Sequence, residues 1–587
     1  MIAILNQCAN PQLPGGGPKD ELPPLVVKSK PTNYSTNFTS EKIEIVFDEF
    51  FTLDAPDKNI IISPPLEKAP QYRTYGKKLF ITFRETLLPN TTYNIFFGDA
   101  IKDYNEGNVL SNYQYVFSTG NNIDSLSLVG QIYNAFTLRP EENAFVMLYL
   151  NNNDTIPFDS LPYKVKPRYV SKTNKSGQFI LSNLAKDKYK IFTIKDESSS
   201  YIYNMTDQYI GFLDSLLTPE YIKPINTDTL VYDSLSRDTV KIERNMFADS
   251  SVLANNSLYT LFTFKENPTK QELIKAHLPV LNIAEFDFAK PVEDLQFECL
   301  NYPELFDHIY QEYSENNDTV KWYIENINVD TLNLIVKSKE LLGDTLSLSL
   351  LTREERQRIQ LNQNRRKKKE RLVQPISIKN NTSAGILTPE QQLLLTFNFP
   401  IKSYNFDSVM LIAGEDTVTP KLSFADSIHR KLLLDRKLEE KTTYNLIFPD
   451  SSMVNILDTK NDSLNVFFST RSNEDYGKIL LTLNLPDTNN NFILELIDEK
   501  DNTKVKRIIK ESGEYTFTYI NPGNYSFRLT DNTSNSGYWE PGNYLQKRQA
   551  EKVYYFQKIL NVKGNWIVDE TWNIDPNIFI PRSPVDM

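Results

Sequence analysis

Thr91-Thr92-Tyr93-Asn94-Ile95-Phe96-Phe97 and Thr442-Thr443-Tyr444-Asn445-Leu446-Ile447-Phe448 are two copies of one phrase. Each is followed by a second short phrase, Phe117-Ser118-Thr119 in the first copy and Phe468-Ser469-Thr470 in the second. The tyrosines at 93 and 444 and the threonines at 119 and 470 are both 351 residues apart, so the internal spacing of the two copies is identical. Aromatic and aliphatic residues dominate these runs and alternate with polar ones, the pattern of half-buried strands. Ile43-Glu44-Ile45-Val46-Phe47 and Leu79-Phe80-Ile81-Thr82-Phe83, upstream, repeat the theme. Several short strands separated by turns predict a β-sandwich.

A second repeat lies beside the first. Ser176-Gly177-Gln178-Phe179 and Tyr189-Lys190-Ile191 return as Ser512-Gly513-Glu514-Tyr515 and Tyr525-Ser526-Phe527, with glycines and tyrosines both 336 residues apart. Strand-like runs also fill the middle, including Tyr259-Thr260-Leu261-Phe262-Thr263-Phe264 and Leu332-Asn333-Leu334-Ile335-Val336. The chain therefore reads as a pair of modules, a central β-domain, and the pair again. The predicted class is all-β, a multidomain array of small antiparallel β-sandwiches. The expected divisions are an N-terminal tether over 1–21, sandwiches over 22–120 and 121–238, a third β-domain over 239–350, a linker over 351–374, and the second pair over 375–473 and 474–587. Duplication of this kind builds length more readily than it builds an active site.

The first module resembles the Ig-like modules of bacterial surface-layer proteins. The resemblance rests on Leu88-Pro89-Asn90-Thr91-Thr92-Tyr93, on the turn from Asp103 to Asn108, and on Phe117-Ser118-Thr119. The second, with its Gly-x-Phe hairpin and Tyr-led strand, resembles the prealbumin-like regulatory modules appended to carboxypeptidases and common in Bacteroidetes envelope proteins. These resemblances imply sandwich folds and an exported protein, and say little about role.

Composition narrows the function. The 587 residues are 40% hydrophobic and 24% charged, with a net charge of −11. An acidic chain repels a phosphate backbone unless its cations cluster, so nucleic acid is not an expected partner. Tyr 32 and Phe 34 against Gly 19 favour aromatic-rich strands over glycine-rich nucleotide loops. His277, His308 and His429 are the only histidines, each without a second His or Cys at ligand spacing. P-loop, dinucleotide-binding and zinc-protease patterns are absent from the sequence. No catalytic residue, cofactor or metal is assigned. Paired carboxylates for glycoside hydrolysis stay open, because their separation in space is invisible in a sequence.

Cys8 follows the apolar stub Met1-Ile2-Ala3-Ile4-Leu5-Asn6-Gln7 and precedes a Pro/Gly tether from Pro11 to Pro18. This resembles a bacterial lipoprotein cleavage site, with Leu5 at the expected position and Gln7 where a small residue is usual. The resemblance implies lipid anchoring through Cys8; a disulfide with Cys299 or an ordinary thiol are the other readings. Cys299 reads as a small buried hydrophobe. The tether beginning Ala9-Asn10-Pro11-Gln12 lacks the acidic cluster of surface-exported Bacteroidetes lipoproteins, which points to the periplasmic side of the outer membrane.

Four features remain as candidates for contact or modification. Arg365, Arg366, Lys367, Lys368 and Lys369 lie in a polar linker, helical or flexible, that is a solvated connector or a contact for an anionic partner. Asp99, Asp103, Asn105 and Glu106 gather oxygens around a turn, which suggests calcium or simply a β-turn. Asp-Ser/Thr-aliphatic triplets, such as Asp124-Ser125-Leu126, Asp330-Thr331-Leu332, Asp344-Thr345-Leu346 and Asp462-Ser463-Leu464, are similar to the O-glycosylation motif of exported Bacteroidetes proteins, and equally to the chemistry of strand entry. Trp539 and Tyr544, in a turn-rich stretch, are candidates for a ligand or partner surface, with core packing as the alternative. The expected function is a non-enzymatic, lipid-anchored envelope scaffold with an envelope protein or glycan as partner. The alternatives are a polysaccharide-binding or degrading protein and an accessory subunit of an outer-membrane assembly.

Overall fold

The computed structural model describes residues 21–583 except 112, 152–156, 158–159, 196–199, 205–207, 223–225, 234–237, 246–258, 342, 352–374, 389 and 487–489, with backbone alone for 226–245 and 344. The regular structure of the described chain is almost entirely strand, arranged in small, mostly antiparallel sheets. It forms two compact units. One comprises the chain up to Glu266 with Leu529–Tyr555 and the residues from Ile578; the other comprises Asn267–Arg528 with Phe556–Asn577.

The first unit opens with an Ig-like sandwich. One sheet has the order Val26–Lys30, Lys42–Phe47, Lys78–Thr82, Gln71–Tyr75; its partner has the order Ile61–Ser63, Thr92–Phe96, Gln114–Ser118. Side chains alternate across a strand, and Ile43, Ile45 and Phe47 from one sheet meet Tyr93, Ile95 and Phe97 from the other in a closed core. The phrase that repeats in sequence is thus the inward face of a central strand.

A second two-sheet module follows. Its sheets are Gln178–Leu184, Leu126–Asn134, Tyr259–Thr263 and Tyr169–Lys172, Phe145–Leu150, Tyr189–Lys195, Tyr209–Phe212. Tyr259–Thr263, expected in the third domain, runs parallel beside Leu126–Asn134 and completes this module. A parallel partner needs a long crossover, which hides the pairing from local sequence. Gly130 permits the close approach, since a Cβ there would lie 2.3 Å from the Tyr259 carbonyl oxygen and 2.6 Å from the Phe179 ring. The hairpin Asn226–Asp233 with Asp238–Asn245 lies in the crossover.

The second unit begins with a two-sheet sandwich. Leu273–Val280, Ile283–Phe288, Thr319–Ile324 and Ile309–Tyr313 form one sheet; Gln296–Cys299, Thr331–Lys337 and Asp344–Ser349 form the other. Trp322 is wholly buried between them, its ring centroid 4.6 Å from that of Phe286 and 4.4 Å from that of Phe297. Cys299 packs into the same core as a free thiol. The second Ig-like sandwich repeats the first, with Leu394–Phe397 and Lys431–Leu434 facing Thr443–Phe448 and Leu464–Thr470. In the last module Gly477–Asn484 lies between Gly513–Ile520 and a parallel Ile567–Asn573, as Leu126–Asn134 does in the earlier copy. Four of the Asp-Ser/Thr-aliphatic triplets stand at strand starts, with strands beginning at Leu126, Thr331, Asp344 and Leu464, whereas Asp228-Thr229-Leu230 lies inside the strand Asn226–Asp233 and Asp214-Ser215-Leu216 opens no strand.

Within this unit the central sandwich and the Ig-like sandwich share a charged joint. Glu312 accepts from Arg430 Nη2 at 2.8 Å, Lys431 Nζ at 3.0 Å and the Tyr323 hydroxyl at 2.9 Å, and Arg430 also donates to the Phe397 carbonyl at 2.8 Å. Tyr323, Phe399 and Ile456 pack around it. Burial favours the neutral acid, but the bonds from Arg430 and Lys431 outweigh it and hold the Glu312 carboxyl below its ordinary range. A depressed native pKa contributes stability above the unfolded carboxylate value of about 4.3 and loses it as the pH falls through the native value. Glu312→Gln is therefore expected to cost about 1–3 kcal/mol at pH 7. In urea unfolding of the full chain the gap to wild type should close below about pH 4; a gap independent of pH would show that the carboxylate charge is not the source.

Candidate functional site

The residues repeated between the two Ig-like modules converge on one corner of each. In the first, the Tyr93 ring stacks on Phe117 at 5.3 Å and 8°. Its hydroxyl accepts the Leu88 amide at 2.8 Å. Thr119 Oγ1 accepts the Thr91 amide at 3.0 Å and donates to the Leu88 carbonyl at 2.7 Å. Each contact has its counterpart 351 residues on. Tyr444 stacks on Phe468 at 4.8 Å and 9°, its hydroxyl accepts the Glu439 amide at 2.6 Å, and Thr470 Oγ1 bridges the Thr442 amide and the Glu439 carbonyl. Asn90 and Lys441, also 351 apart, both take positive φ, 48° and 51°. The repeated hydroxyls close the turn before a strand, as a tyrosine corner does, and are thereby committed to backbone groups.

The oxygen-rich turn is likewise local bonding. Asp103 ends the strand Ile101–Asp103, and its carboxylate accepts the amides of Asn105 at 3.2 Å and Glu106 at 2.8 Å. In the second copy Asn455, ending Met453–Asn455, uses its amide oxygen to accept Leu457 N at 2.9 Å and Thr459 N at 3.0 Å. The neutral side chain performs the same task one residue out of register with the 351 offset, so the turn needs no charge and no cation. Among the described residues no three His, Cys, Asp or Glu side chains gather as a metal site.

Tyr544 is buried rather than on the surface, and Trp539 is half-buried. Tyr544 is 3% exposed, in the first unit, with its ring centroid 5.2 Å from those of Phe192 and Phe212. Trp539 packs on Phe136 and donates its indole N–H to the Glu551 carbonyl at 2.9 Å. The segment Leu529–Tyr555 is built into the core that contains Phe145, Phe192 and Phe264. Gly542 allows the approach, as a Cβ there would lie 2.2 Å from the Phe264 ring. Buried Glu266 ties the segment in, accepting the Tyr203 hydroxyl at 2.9 Å through one oxygen and the Tyr544 amide through the other. Burial beside this carboxylate pushes the Tyr203 phenol far above its ordinary range.

Other buried acids are spent in the same way. Glu141 accepts from Asn134 at 3.0 Å and Lys195 at 2.8 Å; Glu495 accepts from Arg528 at 2.7 Å and Thr503 at 2.9 Å; Glu551 accepts the amides of Ser534 and Glu540, each at 2.9 Å. The histidines have structural neighbours. His308 Nδ1 lies 3.0 Å from Glu325, His277 Nε2 lies 3.8 Å from Glu285, and His429 stacks on Phe424 at 4.6 Å.

A cleft lies in the first unit, between its Ig-like sandwich and the module that follows. Ser63, Asn94, Gln114, Lys172, Gln178 and Ser182 line it. Asn94 Nδ2 donates to Gln114 at 3.2 Å and to Ser182 at 3.0 Å, and Ser63 Oγ accepts the Val170 amide at 3.0 Å. Burial lowers the Lys172 ammonium pKa. Among the described residues no carboxylate lines the cleft. Its polar groups serve as a seam between modules. Cys8 and the basic run Arg365, Arg366, Lys367, Lys368 and Lys369 lie outside the described residues.

Tyr544→Ala is expected to lower stability by about 3–5 kcal/mol in denaturant unfolding, the cost of emptying an aromatic core site; an unchanged midpoint would return Tyr544 to the surface. Asp103→Asn should change stability by less than about 1 kcal/mol, within the range of one net hydrogen bond. Calcium or chelator should leave the melting temperature of the wild type unmoved, and a fall on chelation would revive the metal reading.

Residues 20–119 match the family model of the bacterial Ig-like domain. No curated protein matches the chain. Solved structures similar to it include domains 1–6 of the surface layer protein SbsC, at 13% identity and a TM-score of 0.13, covering 87% of this chain and 65% of that one. Another is BcpA, the major pilin subunit of Bacillus cereus, at 10% identity and a TM-score of 0.12, covering 77% of this chain and 99% of that one. The chain thus spans just under two thirds of the first of these proteins. It carries a bacterial Ig-like domain at its N-terminal end, within an all-β array of small sandwiches.

Proposed function

We propose that the chain is a non-enzymatic scaffold of the bacterial cell envelope, anchored by lipid at Cys8 to the outer membrane and facing the periplasm. The observation that carries this reading is the fate of the duplicated residues. Tyr93, Thr119, Tyr444 and Thr470 are all committed to closing sandwich corners, so what has been repeated is a building block. The buried glutamates and His308 are bonded to neighbouring groups in the same way, which supports architecture over chemistry. The bacterial Ig-like match supports an exported protein. The burial of Tyr544 takes one residue from the aromatic surface that the glycan reading needs. The envelope protein that the scaffold serves remains part of the proposal.

The test is intact and peptide mass spectrometry of the protein purified from its native membrane after expression from the complete gene. Two or three acyl chains on an N-terminal Cys8 are expected. A soluble chain with an unmodified Cys8 thiol overturns the anchored reading.

A further inference from the structure

The end of the first Ig-like sandwich where the described chain begins is unusually apolar. Leu22 is 58% exposed, Phe50 57%, Tyr75 79% and Tyr104 66%. Hydrogen bonds at or beside these residues place them at one end. The Phe50 carbonyl accepts the Tyr104 amide at 3.2 Å, the Leu22 carbonyl accepts Asn108 Nδ2 at 3.1 Å, and the Lys77 carbonyl, in the turn after Tyr75, accepts the Phe47 amide at 2.8 Å. The neighbouring side chains Phe47 and Phe51 point into the core, so strand alternation forces Phe50 outward. Exposed apolar residues that occur singly need no explanation, but four at one end, three of them aromatic, do.

Chain connectivity identifies the occupant. Thirteen residues separate Cys8 from Leu22, and even fully extended they span at most about 50 Å. An acyl anchor on Cys8 would hold this end of the sandwich, before any other, against the bilayer. Charged residues close to these four in the chain or across a strand pair include Glu21, Asp48, Glu49 and Glu106 with Lys77 and Lys78, and the Lys77 ammonium lies 5.8 Å from the Phe50 ring centroid. There is no excess of positive charge to select anionic headgroups, whereas tyrosine and phenylalanine partition into the headgroup region of any bilayer.

We infer that Leu22, Phe50, Tyr75 and Tyr104 form a membrane-facing end that inserts its rings into the zwitterionic lipid interface. This rests on the anchored reading and fixes the orientation of the first module on the membrane. A lipid tether alone leaves a domain free to tumble; a second, apolar contact restricts it.

The experiment installs the tether chemically, so that it can be read whether or not the cell acylates Cys8. The full chain is coupled through its Cys8 thiol to a maleimide lipid in phosphatidylcholine/phosphatidylethanolamine vesicles; Cys299 is buried and is replaced by Ser as a safeguard. Tyr104→Trp is compared with Leu88→Trp, which lies beside the Tyr93 corner at the other end of the same sandwich. Brominated lipids should quench the tryptophan at 104 at least twofold more than that at 88, after subtraction of the native tryptophan signal, with little dependence on salt. Equal quenching at the two positions overturns the inference. So does a tryptophan at 104 that is shielded from aqueous iodide without being quenched by lipid, since the N-terminal segment or a second copy would then cover the face. Failure of native acylation, read separately by mass spectrometry, would remove the anchor and leave the vesicle result standing.

Discussion

Everything in the Ig-like modules depends on closing a turn whose backbone groups would otherwise be stranded at the edge of an apolar core. Tyr93 and Tyr444 solve this with a single side chain each. The ring lies flat on Phe117 or Phe468 and contributes apolar burial, while the hydroxyl reaches five residues back to an amide that no ladder can satisfy. An unpaired amide there would cost about 1–3 kcal/mol, comparable to the burial itself. Thr119 and Thr470 complete the corner from the neighbouring strand, so the two sequence phrases are coupled through one site. That coupling explains why their spacing is held identical in both copies while much of the intervening sequence differs.

Elsewhere in the chain buried carboxylates take a similar role. Glu266 and Glu551 accept backbone amides and hydroxyls from irregular segments, and Glu495 and Glu312 pair with arginine. A carboxylate offers about four acceptor sites in one plane, which suits a loop that presents several donors without a strand beside it. These acids are organisers of chain, and the compactness of Leu529–Tyr555 within the first unit is the clearest result.

Much of the architecture was legible in the residues. Ile43, Ile45 and Phe47 announce a half-buried strand by alternation alone, and the repeat of the tyrosine phrase announces a duplicated module. The turn at Asp103 was legible too, although the 351 offset placed Val454 opposite it and missed Asn455, because one residue of the turn differs between the copies. Two features were not legible. Tyr259–Thr263 looked like the first strand of the next domain, since nothing local marks a parallel partner more than a hundred residues away. Trp539 and Tyr544, in a stretch rich in glycine, proline and asparagine, had the composition of an exposed loop. Burial there comes from Phe192, Phe212 and Glu266, more than 270 residues earlier in the chain.

The sequence by itself determined the strand periodicity, the duplicated modules and the corner residues, because each of these is encoded in side chains within a few positions of one another or in an exact repeat. Only the tertiary structure decided which parallel strand completes the sheets of Leu126–Asn134 and Gly477–Asn484, where the terminal aromatics lie, and which aromatic residues of the first sandwich gather on one end. Those outcomes depend on contacts between residues far apart in the chain, where closure of a long loop is offset by packing that no local pattern records.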